Sequence, residues 1–265
     1  MLSFASLLLL GMAVVTAVLV AVASRALLRG ERASRVQPAS AAFGWRLVLS
    51  ALVAVAALWL FTEVADNVID QDKLSSFDAQ VLVLLAPWRT PTGFTIANAV
   101  SRFGTTPIMS LLALVLIVVL FRRNWLVVVV GWTLVMGGGK LVELALKHTF
   151  HRTRPIGALQ HLSDPSYSYP SGHAMGAMIG YGMLTYLVLL RVRQPAARAL
   201  VTAIAALVII AIGTSRLVLA VHYFTDVVGG FAAGAVWLAL SLAAVEAARE
   251  RNLALPGVHA RRHAA

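Results

Sequence analysis

The sequence contains no cysteine. A disulfide framework, a thiolate metal centre and a cysteine nucleophile are therefore excluded, and thiol usage says nothing about compartment. Acidic residues are scarce as well: 11 Asp and Glu stand against 22 Lys and Arg, and charged residues make up only 12% of the chain. So little charge cannot clothe a water-soluble surface. With a hydrophobic share of 60% and a mean hydropathy of +0.84, the composition is that of a membrane protein. The formal net charge of +11 invites a nucleic-acid reading. Its arginines, however, sit at the ends of apolar runs and not on a basic face interleaved with aromatics, so nucleic acid is not expected as a partner. There is no repeat of solenoid length, and no low-complexity segment beyond the Ala/Arg-rich tail.

What is present is apolar sequence in long runs. A helix needs about 17 to 25 apolar residues to cross a bilayer, and seven runs qualify: 2–24, 46–64, 105–121, 125–146, 174–190, 199–214 and 223–245. The first carries Ala21-Val22-Ala23, which resembles a signal-peptide cleavage site. It has no positive charge before it, while Arg25, Arg29, Arg32 and Arg35 follow, so it reads as a retained helix with a cytoplasmic carboxyl end, followed by a short linker. Arg122 and Arg123, then Arg191, Arg193 and Arg198, then Arg249, Arg251, Arg261 and Arg262 mark further cytoplasmic segments, each separated by an even number of crossings. That leaves 65–104, 147–173 and the turn near 215–222 on the outer side.

The first outer segment holds Asp66, Asp70, Asp72 and Asp78. Phe77, Val81, Leu84 and Leu85, then Phe94, Ala97, Val100 and Phe103, recur at helical spacing around a break at Pro87 and Pro91. The pattern predicts two short interfacial helices with Trp88 at headgroup level. In the fourth run Gly137-Gly138-Gly139 permits close helix approach, and Lys140, Glu143 and Lys147 share a face. The Lys140–Glu143 pair reads as an interior ion pair that helps hold helices in register. Gly172, Gly176 and Gly180 form a second small-residue stripe.

Chemistry concentrates in the outer segments. Lys147 and Arg154 combine a point charge with a planar fork, a pairing suited to phosphate oxygens. In Pro170-Ser171-Gly172-His173, Ser171 is a natural N-cap, Gly172 lets backbone approach a ligand, and the helix terminus favours an anion. His173 there is placed to hand a proton to a leaving group. In Ser215-Arg216…His222…Asp226, a helical conformation would bring Asp226 onto the His222 face to orient its ring. Charge bias puts all three clusters on one side of the membrane.

With Lys147, six residues, Arg154-Pro155; Pro170-Ser171-Gly172-His173; and Ser215-Arg216, five residues, His222, three residues, Asp226, the chain resembles the type 2 phosphatidic acid phosphatases, the lipid phosphate phosphatase superfamily. The resemblance spans about residues 46–245. It does not account for 2–24, and Tyr169 stands where many relatives have Phe. It implies an all-α polytopic transmembrane bundle: a first helix and linker (1–45), a six-helix phosphatase core (46–246) and a basic cytoplasmic tail (247–265). It further implies His222 as nucleophile, Asp226 as the carboxylate orienting it and His173 as acid and then base. Lys147, Arg154, Ser171, Gly172 and Arg216 are expected to hold the phosphate, with no metal and no cofactor. The expected substrate is a lipid phosphate or diphosphate of the undecaprenyl diphosphate, phosphatidic acid or phosphatidylglycerophosphate type, turned over at the outer face of the cell membrane. The same site could serve a phosphotransferase, or persist in a non-catalytic lipid-binding or lipid-translocating protein. His148, His151 and His161 read as loop residues outside the motif, and Arg152 as part of a basic rim.

Overall fold

A computed structural model of the chain describes residues 41–70, 73–120, 125–155 and 167–253. The expected first helix, its linker up to residue 40, His161 and the tail beyond residue 253 lie outside the described residues. Those that are described form helices and short turns, with no strand among them. The elements are α1 (Ala41–Asp70), α2 (Lys73–Leu84), a 3₁₀ turn (Ala86–Trp88), α3 (Pro91–Arg102), α4 (Thr106–Leu120), α5 (Trp125–Phe150), α6 (Gly172–Leu189), α7 (Pro195–Val218) and α8 (Phe224–Leu253). The chain divides into two compact units, one of Met1–Val55 with Ala239–Ala265 and one of Ala56–Leu238. All residues discussed below belong to the second.

The two short helices expected between 65 and 104 are present as α2 and α3. Thr90 caps α3 by accepting a hydrogen bond from the Gly93 N–H at 3.0 Å, and Pro91 at the first helical position has no N–H to leave unpaired. Trp88 is exposed, as a headgroup-level aromatic requires. α3 is more than a surface helix, however. It packs against α7 through Ala97, Leu219 and Val221, and with α4 it passes as one apolar span bent by 50°.

Among the described residues, four helical stretches are long and apolar enough to cross a membrane: Ser50–Ile69, Val128–Phe150, Pro195–Val218 and Phe224–Glu246. The bent pair makes a fifth. The sequence runs predict six in this region, and the one that falls short is 174–190, which forms α6. The reason is position. α6 packs against α4, α5 and α7, and seven of its residues, including Met175, Ile179 and Leu187, are buried. A helix surrounded by protein can carry glycines, tyrosines and a histidine that a lipid-facing helix could not.

The glycine stripes are what let α6 sit so close to its neighbours. A methyl at Gly180 would lie 2.7 Å from the Met109 sulfur on α4, and one at Gly139 would lie 3.3 Å from the Trp237 ring. Trp237, fully buried on α8, donates its indole N–H to the Val135 carbonyl on α5 at 2.8 Å. The fold thus gathers α4 to α8 around one glycine-rich helix whose amino terminus carries Gly172 and His173.

Candidate active site

Three chain turns deliver the polar residues. α5 ends where His151 adopts φ 46° and its N–H bonds the Lys147 carbonyl at 3.1 Å, a left-handed cap that turns the chain away from the helix axis. α7 ends in a Schellman arrangement: the Val221 N–H reaches the Arg216 carbonyl (3.2 Å) and the Ala220 N–H the Leu217 carbonyl (3.0 Å). Ala220 holds φ 52° there, a conformation that costs a non-glycine residue about 1–2 kcal/mol. The turn breaks the helix between Arg216 and His222, so the two face one cavity from different elements. The chain then re-enters helix at Phe224, and the Asp226 carboxylate takes the Tyr223 N–H at 2.8 Å, closing the first turn of α8.

His222 lies between these helix ends and is 2% exposed. Its Nδ1 is 3.4 Å from Asp226 Oδ2, and its Nε2 is 3.1 Å from Arg154 Nη1. A guanidinium has only donors, so the Arg154 contact fixes the tautomer: Nε2 carries the lone pair and Nδ1 carries the proton facing Asp226. Burial pushes the imidazole down to about 4 against an ordinary value of 6.5; Asp226 pulls the other way, and Arg154 and Arg216 add to the lowering. The ring is therefore neutral at physiological pH with Nε2 available as a base.

Asp226 is fully buried and heavily subscribed. Besides His222 and the Tyr223 N–H it accepts the Ser168 hydroxyl and, at 2.5 Å, Arg152 Nη1. Arg152 is no rim residue. Its Nη2 reaches Asp78 on α2 at 2.7 Å, so one guanidinium bridges two buried carboxylates. Burial opposes its charge, and Asp226 and Asp78 outweigh that and raise its pKa. Asp78 also accepts the Thr225 N–H (3.0 Å) and the Thr225 hydroxyl (2.5 Å). Motif spacing gives no hint of Asp78, Arg152 or Ser168. The available signal is that Asp78 shares the α2 face of Val81 and Leu85, which pack on Ala174, Leu217 and Val227. An acid on a buried face demands a partner.

Alongside His222 opens a cavity of about 340 Å³. Its polar walls are Lys140, Glu143, Lys147, Arg154, Gly172, His173, Arg216 and His222; Met109, Met136, Met175 and Ile179 supply an apolar wall. Arg216 donates Nη1 to the Ser101 hydroxyl on α3 at 2.6 Å, and its buried Nε finds no acceptor among the described residues. Gly172 lies against the Glu143 carboxylate, where a Cβ would collide. The structure thus brings Lys147, Arg154, Gly172, His173, Arg216 and His222 to one cavity, with Asp226 directly behind His222. Ser171 differs from expectation. It stands at the N-cap of α6, but its hydroxyl caps nothing, is buried without a partner among the described residues, and does not line the cavity.

The Lys140–Glu143 pair forms at 2.8 Å, but both residues lie on α5, so it cannot hold two helices in register; Glu143 also takes Lys147 at 3.2 Å. His148 and His151 pack edge-on against Tyr167 outside the cavity; His151 lies beyond the helix as expected, whereas His148 belongs to the last turn of α5 and is no loop residue. Tyr169 packs on Phe61 and Phe150, with its hydroxyl unpartnered among the described residues, so its contacts there are those of the ring.

The PAP2 superfamily model matches residues 112–250. Phosphatidylglycerophosphatase B of Bacillus subtilis (strain 168) is 29% identical over 184 residues, covering 67% of this chain and 88% of that protein. The crystal structure of a transmembrane PAP2-type phosphatidylglycerolphosphate phosphatase from Bacillus subtilis superposes with a TM-score of 0.63 at 25% identity, over 71% of this chain and 94% of that one.

Proposed function

The chain belongs to the PAP2 superfamily and is a multi-pass membrane lipid phosphatase, and on that premise we propose that it hydrolyses a lipid phosphate through a phosphohistidine on His222, at the outer face of the membrane. The observation that carries the reading is the convergence of three separated segments on one cavity, with a neutral histidine lone pair among three cations.

In the first step His222 Nε2 attacks phosphorus, the P–N bond forms and the P–O bond to the lipid breaks. His173, which burial and then Arg216 hold neutral without substrate at a pKa of about 3, takes up a proton as the anionic phosphate arrives beside it and gives that proton to the departing oxygen. Nδ1–H faces Asp226, so the positive charge that develops on the ring meets a buried carboxylate. In the second step water attacks phosphorus, His173 takes its proton, the P–N bond breaks, and inorganic phosphate leaves. Lys147, Arg154, Arg216 and the Gly172 N–H receive the phosphate oxygens, where each donor can contribute a few kcal/mol to the transition state. The unpartnered Nε of Arg216 supports a bound oxyanion, because a buried donor without an acceptor costs about 1–3 kcal/mol. At rest Arg154 donates to Nε2. An arriving phosphate takes over that donor and releases the lone pair in the same movement.

The resemblance to phosphatidylglycerophosphatase B supports a phosphatidylglycerophosphate-type substrate. The arginine pattern of the sequence supports the outer-face placement. Purified His222→Ala protein, intact by size-exclusion chromatography, is expected to release no phosphate from phosphatidylglycerophosphate. Release at more than a few per cent of wild type would refute the nucleophile.

A further inference from the structure

The reaction above leaves two charged groups of the cavity unused, Lys140 and Glu143. Lys140 lies in the middle of the apolar stretch Val128–Phe150, where an ammonium group costs about 2.5–3.5 kcal/mol on insertion scales. Glu143 is shared: one carboxylate oxygen holds Lys140 Nζ at 2.8 Å and the other holds Lys147 Nζ at 3.2 Å. A single carboxylate thus clamps the ammonium groups of two residues whose backbone positions lie two helical turns, about 10 Å, apart along the axis. Lys147 is at the end where Arg154 and Arg216 gather; Lys140 is on the side of the methionine wall.

Glu143 does not cancel the charge it organises. Facing the cavity are four cations, Lys140, Lys147, Arg154 and Arg216, and one carboxylate. A phosphomonoester brings about −1.5 to −2 at neutral pH, which leaves about one cavity-facing positive charge uncovered. The Lys140 side chain is 56% exposed although it sits in mid-span, and the space it borders is the cavity.

We propose that Lys140, held in place by Glu143, is a second anion subsite that takes a second phosphate group of the substrate. It selects lipids with two phosphates, joined directly or through a short polyol, over lipids with one. The inference rests on the phosphatase reading and adds specificity to it. Along α5 the lining residues follow in the order such a lipid presents its groups: Lys147, which shares the cavity with Arg154 and Arg216, for the terminal phosphate, Lys140 two turns away for the second phosphate, and Met136 about one turn further for the apolar chain. Lys140 touches no reacting atom. Its contribution is affinity for the second phosphate, where a charge-assisted contact corresponds to about 10- to 100-fold.

The test compares full-length wild type, Lys140→Met and Lys140→Arg in nanodiscs, with phosphatidylglycerophosphate and phosphatidic acid of identical acyl chains. For Lys140→Met, kcat/KM is expected to fall at least about tenfold on phosphatidylglycerophosphate and less than about threefold on phosphatidic acid, and Lys140→Arg recovers most of the loss. An equal loss on both lipids, or none on either, overturns the subsite. A second arm needs neither turnover nor a folded variant. Wild-type protein should bind glycerol 1,3-bisphosphate at least about tenfold more tightly than glycerol 3-phosphate in calorimetry; equal affinities overturn the proposal. Wild type that cleaves neither lipid yet discriminates the two soluble probes contradicts the phosphatase reading and leaves the subsite standing.

Discussion

The bridge from Asp78 through Arg152 to Asp226 ties helix α2 to the catalytic carboxylate, and its energetics can be worked from the geometry. Arg152→Met removes the cation between two carboxylates that are 1% and 0% exposed. Breaking a buried pair by taking one partner away costs about 3–5 kcal/mol, because the remaining charge is left without compensation. Asp78→Ala strands the Thr225 N–H, at about 1–3 kcal/mol, and leaves Arg152 with one carboxylate, Asp226, beside the Thr225 hydroxyl. In the double variant Arg152→Met no longer faces the Asp78 charge, so the two losses overlap. The combined destabilisation is expected to fall short of the sum by about 2–3 kcal/mol. Reversible unfolding of the four proteins in mixed micelles measures the cycle. Additivity within about 0.5 kcal/mol would refute the bridge as an energetic unit. Both single variants should also lose turnover, since Asp226 loses either Arg152 itself or the carboxylate that fixes Arg152 in place.

Two further outcomes follow from the electrostatics and the charge bias. Because burial lowers the His222 imidazole to about 4, the neutral nucleophile is present at every pH above that value and is lost only below it. NMR of ring-labelled histidine should show one midpoint near 4 that vanishes in His222→Ala, and a His222 midpoint at the ordinary 6.5 would contradict a buried site. The proposed outer-face placement of 147–173 predicts that a cysteine at Gln160 reacts with an impermeant maleimide in intact cells while one at Gln194 stays protected. The reverse pattern would invert the topology.

The sequence resolves the proposed site residues well because each is bound to a local pattern. Lys147, Arg154, Gly172, His173, Arg216, His222 and Asp226 are recognisable from spacing, and all meet at or directly behind the cavity. Their supports are less legible because those partners come from distant segments. Asp78 meets Thr225 across 147 positions, and Arg216 meets Ser101 across 115. No periodicity encodes such a pairing. Glu143 is ambiguous for a different reason: spacing shows that it can reach both Lys140 and Lys147, but only the packing of Gly172 against it places the carboxylate at the cavity. The fold was similarly mixed. Long apolar runs mark α1, α5, α7 and α8 as spans, whereas α6, diluted by glycine and aromatic residues, owes its place to surrounding helices that hydropathy cannot see.

The central claim is a covalent bond between His222 and phosphorus. Wild-type protein mixed with lipid carrying a ³²P terminal phosphate, quenched in alkali within one turnover and digested, should yield label on the peptide that contains His222, stable to base and lost in acid. His173→Ala should accumulate that species because the water step loses its base. Label on another residue, or none in either protein while phosphate is released, would contradict the account.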